Sequence, residues 1–160
     1  MIKLSEIESK YGDYLVDENK LKELLVKPKS KTVWDLKDGD GYWYIDTANN
    51  INYATWNGCA WNLTNRESGN VFLTKEEAQF ELERRRCEAI MLKYGRRMLK
   101  YKDDNYSFQF DNTGKKVYVE VWNTCQFQGS IYFDTKELAQ KAIDEIGEER
   151  LKKYVFRVEE

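Results

Sequence analysis

Between Lys116 and Trp122 the chain alternates strictly, with Val117, Val119 and Val121 on one side and Tyr118 and Trp122 on the other. That period of two predicts an extended strand with two apolar faces. INYATW (51 to 56) repeats the pattern more weakly, with Ile51 and Tyr53 opposed to Trp56. Turn-forming residues cluster at DGDG (38 to 41), TANN (47 to 50) and DNTG (111 to 114), so consecutive strands are close and antiparallel.

The period turns helical after two nearly identical octets, FLTKEEAQ at 72 to 79 and FDTKELAQ at 133 to 140. In each, a Phe ends a strand and a Thr stands where a helix begins, its hydroxyl able to accept from an otherwise unpaired backbone N–H. Glu77 has capping-box spacing to Thr74. Past the second octet, Leu138, Ala139, Ala142, Ile143 and Ile146 form a helical stripe that stops at Gly147. The first octet predicts a longer helix, from Lys75 to about Lys102, with one stripe of Phe80, Cys87, Met91, Tyr94, Met98 and Tyr101 and a second of Ala78, Leu82, Ala89 and Leu92. A helix apolar on two sides is expected to lie enclosed between neighbours, and Gly95 to kink or divide it.

The match extends beyond the octets. Trp56, Asn57 and Cys59 align with Trp122, Asn123 and Cys125, Trp61 answers Phe127, and WYID (43 to 46) can be set against FQFD (108 to 111). The first copy holds extra residues, placed in NLTNRESGN (62 to 70). Such a duplication marks a repeated supersecondary unit. The expected architecture is α+β: a helical N-terminal segment and linker over 1–32, then two antiparallel-sheet-plus-helix (βββα-like) modules over 33–102 and 103–160. Within 1–32, the Ser5 and Glu8 spacing, Leu21, Leu24 and Leu25, and Pro28 predict two short helices and a stop. ERLKKYVFRV (149 to 158) predicts a helical turn followed by a strand returning to the second sheet.

A chain of 160 residues buries a sizeable core without staples. Aromatics at 14 %, one Pro and nine Gly exclude a disordered or linker-like segment. No apolar run approaches the roughly 18 residues of a membrane helix, and MIKLSEIESK lacks the core of a secretory signal, which makes the cytoplasm the expected compartment. Three cysteines without a C-x-x-C point to free thiols.

There is no histidine, which removes the commonest general base, the Ser-His and Cys-His pairs and most zinc sites. DGDG has the start of a calcium loop, but Tyr42 and Asn49 stand where oxygen ligands belong, so a turn is expected. Cys59 and Cys125, matched by the repeat, read as small buried hydrophobes. The expectation is a protein that is no enzyme and holds no cofactor and no metal.

Charge is uneven. Residues 84 to 102 carry about +7 between flanks of about −5 and −4, although the whole chain carries −2. Arg86, Lys93, Arg97 and Lys100 fall on one helical stripe, with Arg84, Arg85 and Arg96 beside it. They either pair with the protein's own acidic modules or face phosphates or an acidic partner. Trp56, Tyr118 and Trp122 lie opposite the valine face, where they either pack copy against copy or meet a partner, stacking on unpaired bases included.

Taken together, KSKTVWDLKDGDGYWYI, GNVFLTKEEAQFELERRR and IYFDTKELAQKAIDEIGEERLKKYVFRV resemble a group of small accessory proteins of phages and prophages of Gram-positive bacteria. The resemblance brings no catalytic residues with it. It implies an accessory, non-structural phage product acting in the bacterial cytoplasm. With no catalytic equipment in the sequence, the leading expectation is a non-enzymatic protein that binds a host macromolecule, an anti-CRISPR-like inhibitor of a nuclease defence that blocks the effector or its nucleic-acid channel. The alternative is a nucleic-acid-binding accessory or regulatory factor of phage replication or transcription. A bare self-assembling scaffold is a third class.

Overall fold

The computed structural model describes residues 4–13, 20 and 30–158. Leu21, Leu24, Leu25 and Pro28, read above as a second helix and its stop, lie outside them. The chain divides into two compact units, Met1–Lys31 and Thr32–Glu160. In the first, helix α1 (Leu4–Tyr11) begins one residue before Ser5, so Ser5 stands within the helix instead of capping it.

The second unit is α+β and holds two antiparallel hairpins. Strands β1 (Gly41–Ile45) and β2 (Ile51–Thr55) pair with Trp43 opposite Tyr53. Strands β3 (Asn105–Asp111) and β4 (Lys116–Trp122) pair with Phe108 opposite Val119. Both turns fall on the predicted polar clusters, and each is tied by an aspartate at its start. The Asp46 carboxylate accepts from the backbone N–H groups of Ala48 (2.9 Å) and Asn50 (2.8 Å), and Asn49 takes the left-handed conformation, φ 64°. Asp111 accepts from Thr113 N–H at 2.8 Å.

The third strand of each module is reduced to a single residue. Phe72 and Trp43 exchange two backbone hydrogen bonds of 2.9 and 2.8 Å, and Phe133 and Tyr106 exchange two of 2.8 and 3.0 Å. The repeated phenylalanines thus occupy the same place in both copies. Directly after them come the helices the octets announce. Helix α3 (Lys75–Tyr94) starts on Thr74, whose hydroxyl accepts from Glu77 N–H at 3.1 Å while Glu77 accepts in return. Helix α4 (Lys136–Ile146) starts on Thr135, which accepts from Leu138 N–H. Leu138 stands where Glu77 stands in the first copy, and therefore the second cap is one-sided.

Helix α3 ends at Tyr94, eight residues short of the length its periodicity predicted. Gly95 donates to the Met91 carbonyl and turns the chain into extended backbone, and Arg96 then exchanges two 2.8 Å bonds with Tyr132. Chain and neighbour approach closely here: a Cβ on Gly95 would lie 2.7 Å from the Tyr132 carbonyl oxygen. Met98 and Tyr101, counted above in the helical stripe, lie beyond the helix and are each 75 % exposed, and Ala89 is exposed as well.

The helix does join the copies. It packs on β1 and β2 of the first copy, and on α4 and the Leu151–Val155 turn of the second. Cys87 and Met91 enter a core with Phe108, Ile131, Phe133, Ala139, Ala142, Ile146 and Leu151, to which Val117 and Val119 also turn. Val121, expected with the other valines, is 44 % exposed. A smaller core gathers Leu36, Tyr42, Trp56 and Val71 on the other side of the first hairpin.

Two segments depart from expectation. The stretch of the first copy that holds its extra residues, for which no element is predicted above, contributes to a helix, α2 (Ala60–Glu67). The tail forms no returning strand: after Gly147 (φ 87°) it enters a helical turn, α5 (Glu148–Arg150), then a wider π-helical turn over Leu151–Val155, setting Tyr154, Val155 and Phe156 against the core. Among the described residues no helix is long and apolar enough to cross a membrane.

Candidate functional site

The basic run was the first candidate, and the structure shows what its charges face. On α3, Arg84 donates to Glu81 (2.7 and 2.8 Å) and Glu88 (3.0 Å), Arg85 to Glu81 (2.9 Å), and Arg86 pairs with Glu83. Lys93 reaches Glu145 of α4 at 2.8 Å. Beyond the helix, Arg97 returns to Glu88 (2.7 Å), while Arg96 (2.9 Å) and Lys100 (2.8 Å) share Asp134. Arg150 of the tail closes on Glu83 at 2.8 Å. All seven basic candidates are therefore paired with the protein's own carboxylates. They do not form one stripe either, since Arg96, Arg97 and Lys100 sit on the extended segment after Gly95. Of the two readings of the run, internal pairing is the one this geometry supports.

The ion pairs leave an electrostatic signature. Burial works to raise the carboxyl of Glu81, yet the hydrogen bonds and charges of Arg84 and Arg85 outweigh it and hold the group below its ordinary value. Burial is likewise overcome at Glu88 by Arg97 and Arg84, and at Glu83 by Arg86 and Arg150. Asp134 is held low, first by the hydrogen bond from Lys100 and then by Arg96. Asn105, fully buried, fastens the same corner by accepting from Arg96 and from Lys100 N–H and donating to the carbonyls of Lys100 and Asp103.

The three aromatic candidates end in different places. Trp56, directly after β2, continues its alternation on the side of the hairpin away from α3, but that side is closed. Helix α2 covers it, and the Arg66 guanidinium stacks between Trp56 (4.6 Å) and Trp34 (4.7 Å). Asn62 of α2, buried, donates to the Tyr42 hydroxyl (2.7 Å) and accepts from Asn57 N–H (3.0 Å). Trp56 is consequently a core residue, 5 % exposed. In the second copy the stretch after β4 forms no helix, so the corresponding face stays partly open: Tyr118 is 40 % exposed, and Trp122 is half-buried under Phe127.

Two residues absent from the candidate set share a geometry. Trp61 meets the Tyr44 ring edge-on at 4.8 Å, and its counterpart Phe127 meets the Trp122 ring edge-on at 4.6 Å. They are 47 % and 44 % exposed. At this matched position each module thus carries an outward aromatic held in orientation by an aromatic of its own sheet. The signal was in the sequence as the W-N-x-C-x-(W/F) correspondence, whose last position was used only for alignment.

The matched cysteines correct a further expectation. Cys59, at the start of α2, and Cys125, in the turn after β4, are exposed, and the buried thiol is Cys87. Both exposed thiols fall just past the end of a strand, outside either core. Among the described residues no three His, Cys, Asp or Glu side chains converge as a metal centre requires. Comparison with family models, curated proteins and solved structures returns no match for this chain.

Proposed function

We propose that this chain is a non-enzymatic binding protein that docks on another macromolecule through the two modules together, and that its target is a nuclease-type host defence, whose effector or nucleic-acid channel it blocks sterically. The observation that carries the reading is the matched pair Trp61 and Phe127. Large aromatics left outside with their rings already oriented by a neighbouring ring lose little freedom on binding and make effective interface anchors. Presenting one on each copy gives the protein two anchor points, so a partner with two suitable pockets gains from both at once. The target class rests on the sequence resemblance described above.

The test is cleavage of target DNA by purified CRISPR effectors of several types, with and without the protein. Inhibition by the wild type that weakens by about tenfold or more in W61A/F127A, at unchanged melting temperature, supports the reading. Unchanged nuclease activity across those effectors removes it.

A further inference from the structure

Between α3, the β3–β4 hairpin and the tail lies a cavity of about 810 Å³ that the aromatic anchors do not use. Its floor is apolar, made by Phe80 and Phe110. Each ring is braced from behind, Phe80 by Tyr154 at 5.2 Å and Phe110 by Phe156 at 5.8 Å. The rim carries four cations, Lys115, Lys152, Lys153 and Arg157, against one carboxylate, Glu149. Lys152 is held by Glu148 (3.1 Å) and Glu149 (3.0 Å), but Lys115, Lys153 and Arg157 have no ion pair among the described residues. This is the reverse of α3, where every candidate cation has its carboxylate. The backbone adds to the contrast. Lys115 (φ 48°) and Arg157 (φ 54°) are both in the left-handed region that non-glycine residues rarely adopt, and the Val158 N–H, donating to the Lys152 carbonyl at 3.0 Å, fixes the tail beside Arg157. Arg157 itself lies over the Phe80 ring, 5.7 Å from its centre, which places its guanidinium where the apolar floor meets the rim.

Three uncompensated cations ask for an anion with several charges, and a guanidinium fork suits phosphate. The apolar floor beside them asks for a flat apolar body attached to it. The volume is that of a small-molecule site, typically about 300–1,000 Å³. We propose that this cavity binds a nucleotide, with the phosphate on Lys115, Lys153 and Arg157 and the base over Phe80 and Phe110. The nucleotide comes either free or as the phosphorylated end of a nucleic-acid strand. This inference is independent of the inhibitor reading, because it uses neither Trp61 nor Phe127.

Calorimetric titration of the full chain with AMP and, separately, with a 5′-phosphorylated hexanucleotide tests it. Saturable binding of AMP identifies the free ligand, and binding of the hexanucleotide alone identifies the strand end; either supports the site. Adenosine and inorganic phosphate by themselves are expected to bind far more weakly, and added salt to weaken the complex. K115G and R157G remove the charge while relieving the left-handed backbone, so each is expected to keep the fold and to lose affinity by about tenfold or more. No saturable binding of either ligand overturns the proposal. So does affinity unaffected by both variants, or preference for an acyl anion such as oleate over AMP.

Discussion

Replacing Gly95 with Ala separates two accounts of α3 by the sign of a single measurement. If the helix ran through Gly95, as its apolar periodicity suggests, alanine would stabilise it by about 1 kcal/mol. In the structure the residue is extended, at φ −132° and ψ −170°, so alanine meets no backbone strain and gains about 0.4–1 kcal/mol by restricting the unfolded chain. Against that stands the new Cβ, 2.7 Å from the Tyr132 carbonyl oxygen, 2.9 Å from Ile131 Cγ2 and 3.0 Å from Phe133 Cδ1. The carbonyl belongs to a peptide already bonded to Arg96 N–H, so it cannot withdraw without breaking that pair. Overpacking of this kind costs about 1–3 kcal/mol. The net expectation is a loss of about 1–2 kcal/mol, or roughly 4–8 °C in melting temperature for a unit of this size. Urea denaturation should show a lower midpoint at unchanged slope. Adding I131A should recover only part of the loss, because it frees the side-chain contact and leaves the carbonyl. A G95A protein as stable as the wild type, or more so, refutes the close approach and restores the continuous helix.

Three further outcomes follow from the geometry. N62L should cost about 1–3 kcal/mol, since it strands the buried Tyr42 hydroxyl and the Asn57 N–H, and adding Y42F should return part of that; purely additive losses in the double-mutant cycle would contradict the hydrogen bond. The carboxyls of Glu81, Glu83, Glu88 and Asp134 are lowered by folding, so their contribution is present above the unfolded value near 4 and lost as pH falls through the folded values. Melting temperature should hold from pH 8 to about 5 and drop below it, with a shallower drop and a lower neutral plateau in E81Q/E88Q; an unchanged acid slope in that variant would mean the pairs are energetically silent. Thiol titration of the native protein should label Cys59 and Cys125 promptly and Cys87 only after unfolding, because Cys87 is buried and burial raises its thiol; prompt labelling of all three would contradict the core position of Cys87.

The duplication, both hairpin turns, both threonine caps and the stop at Gly147 were legible in the sequence because each depends on neighbours a few residues away. A hydroxyl reaches an N–H three positions on, and an aspartate closes its own turn. The length of α3 was not legible, since what ends it is a strand partner at Tyr132, remote in the chain, whose backbone bonds outbid further helical turns. The basic run shows the same division. Composition gave its sign, but whether Arg84 to Lys100 face solvent or carboxylates depended on Glu145 and Asp134, which only folding brings near. The alternation also placed Trp56 and Tyr118 correctly on the faces away from the long helices. Whether such a face is open was decided by whether the segment after the strand folds back as a helix. It does so in the first copy, where Asn62 and Arg66 find Tyr42 and Trp56, and not in the second, which leaves Tyr118 and Phe127 at the surface.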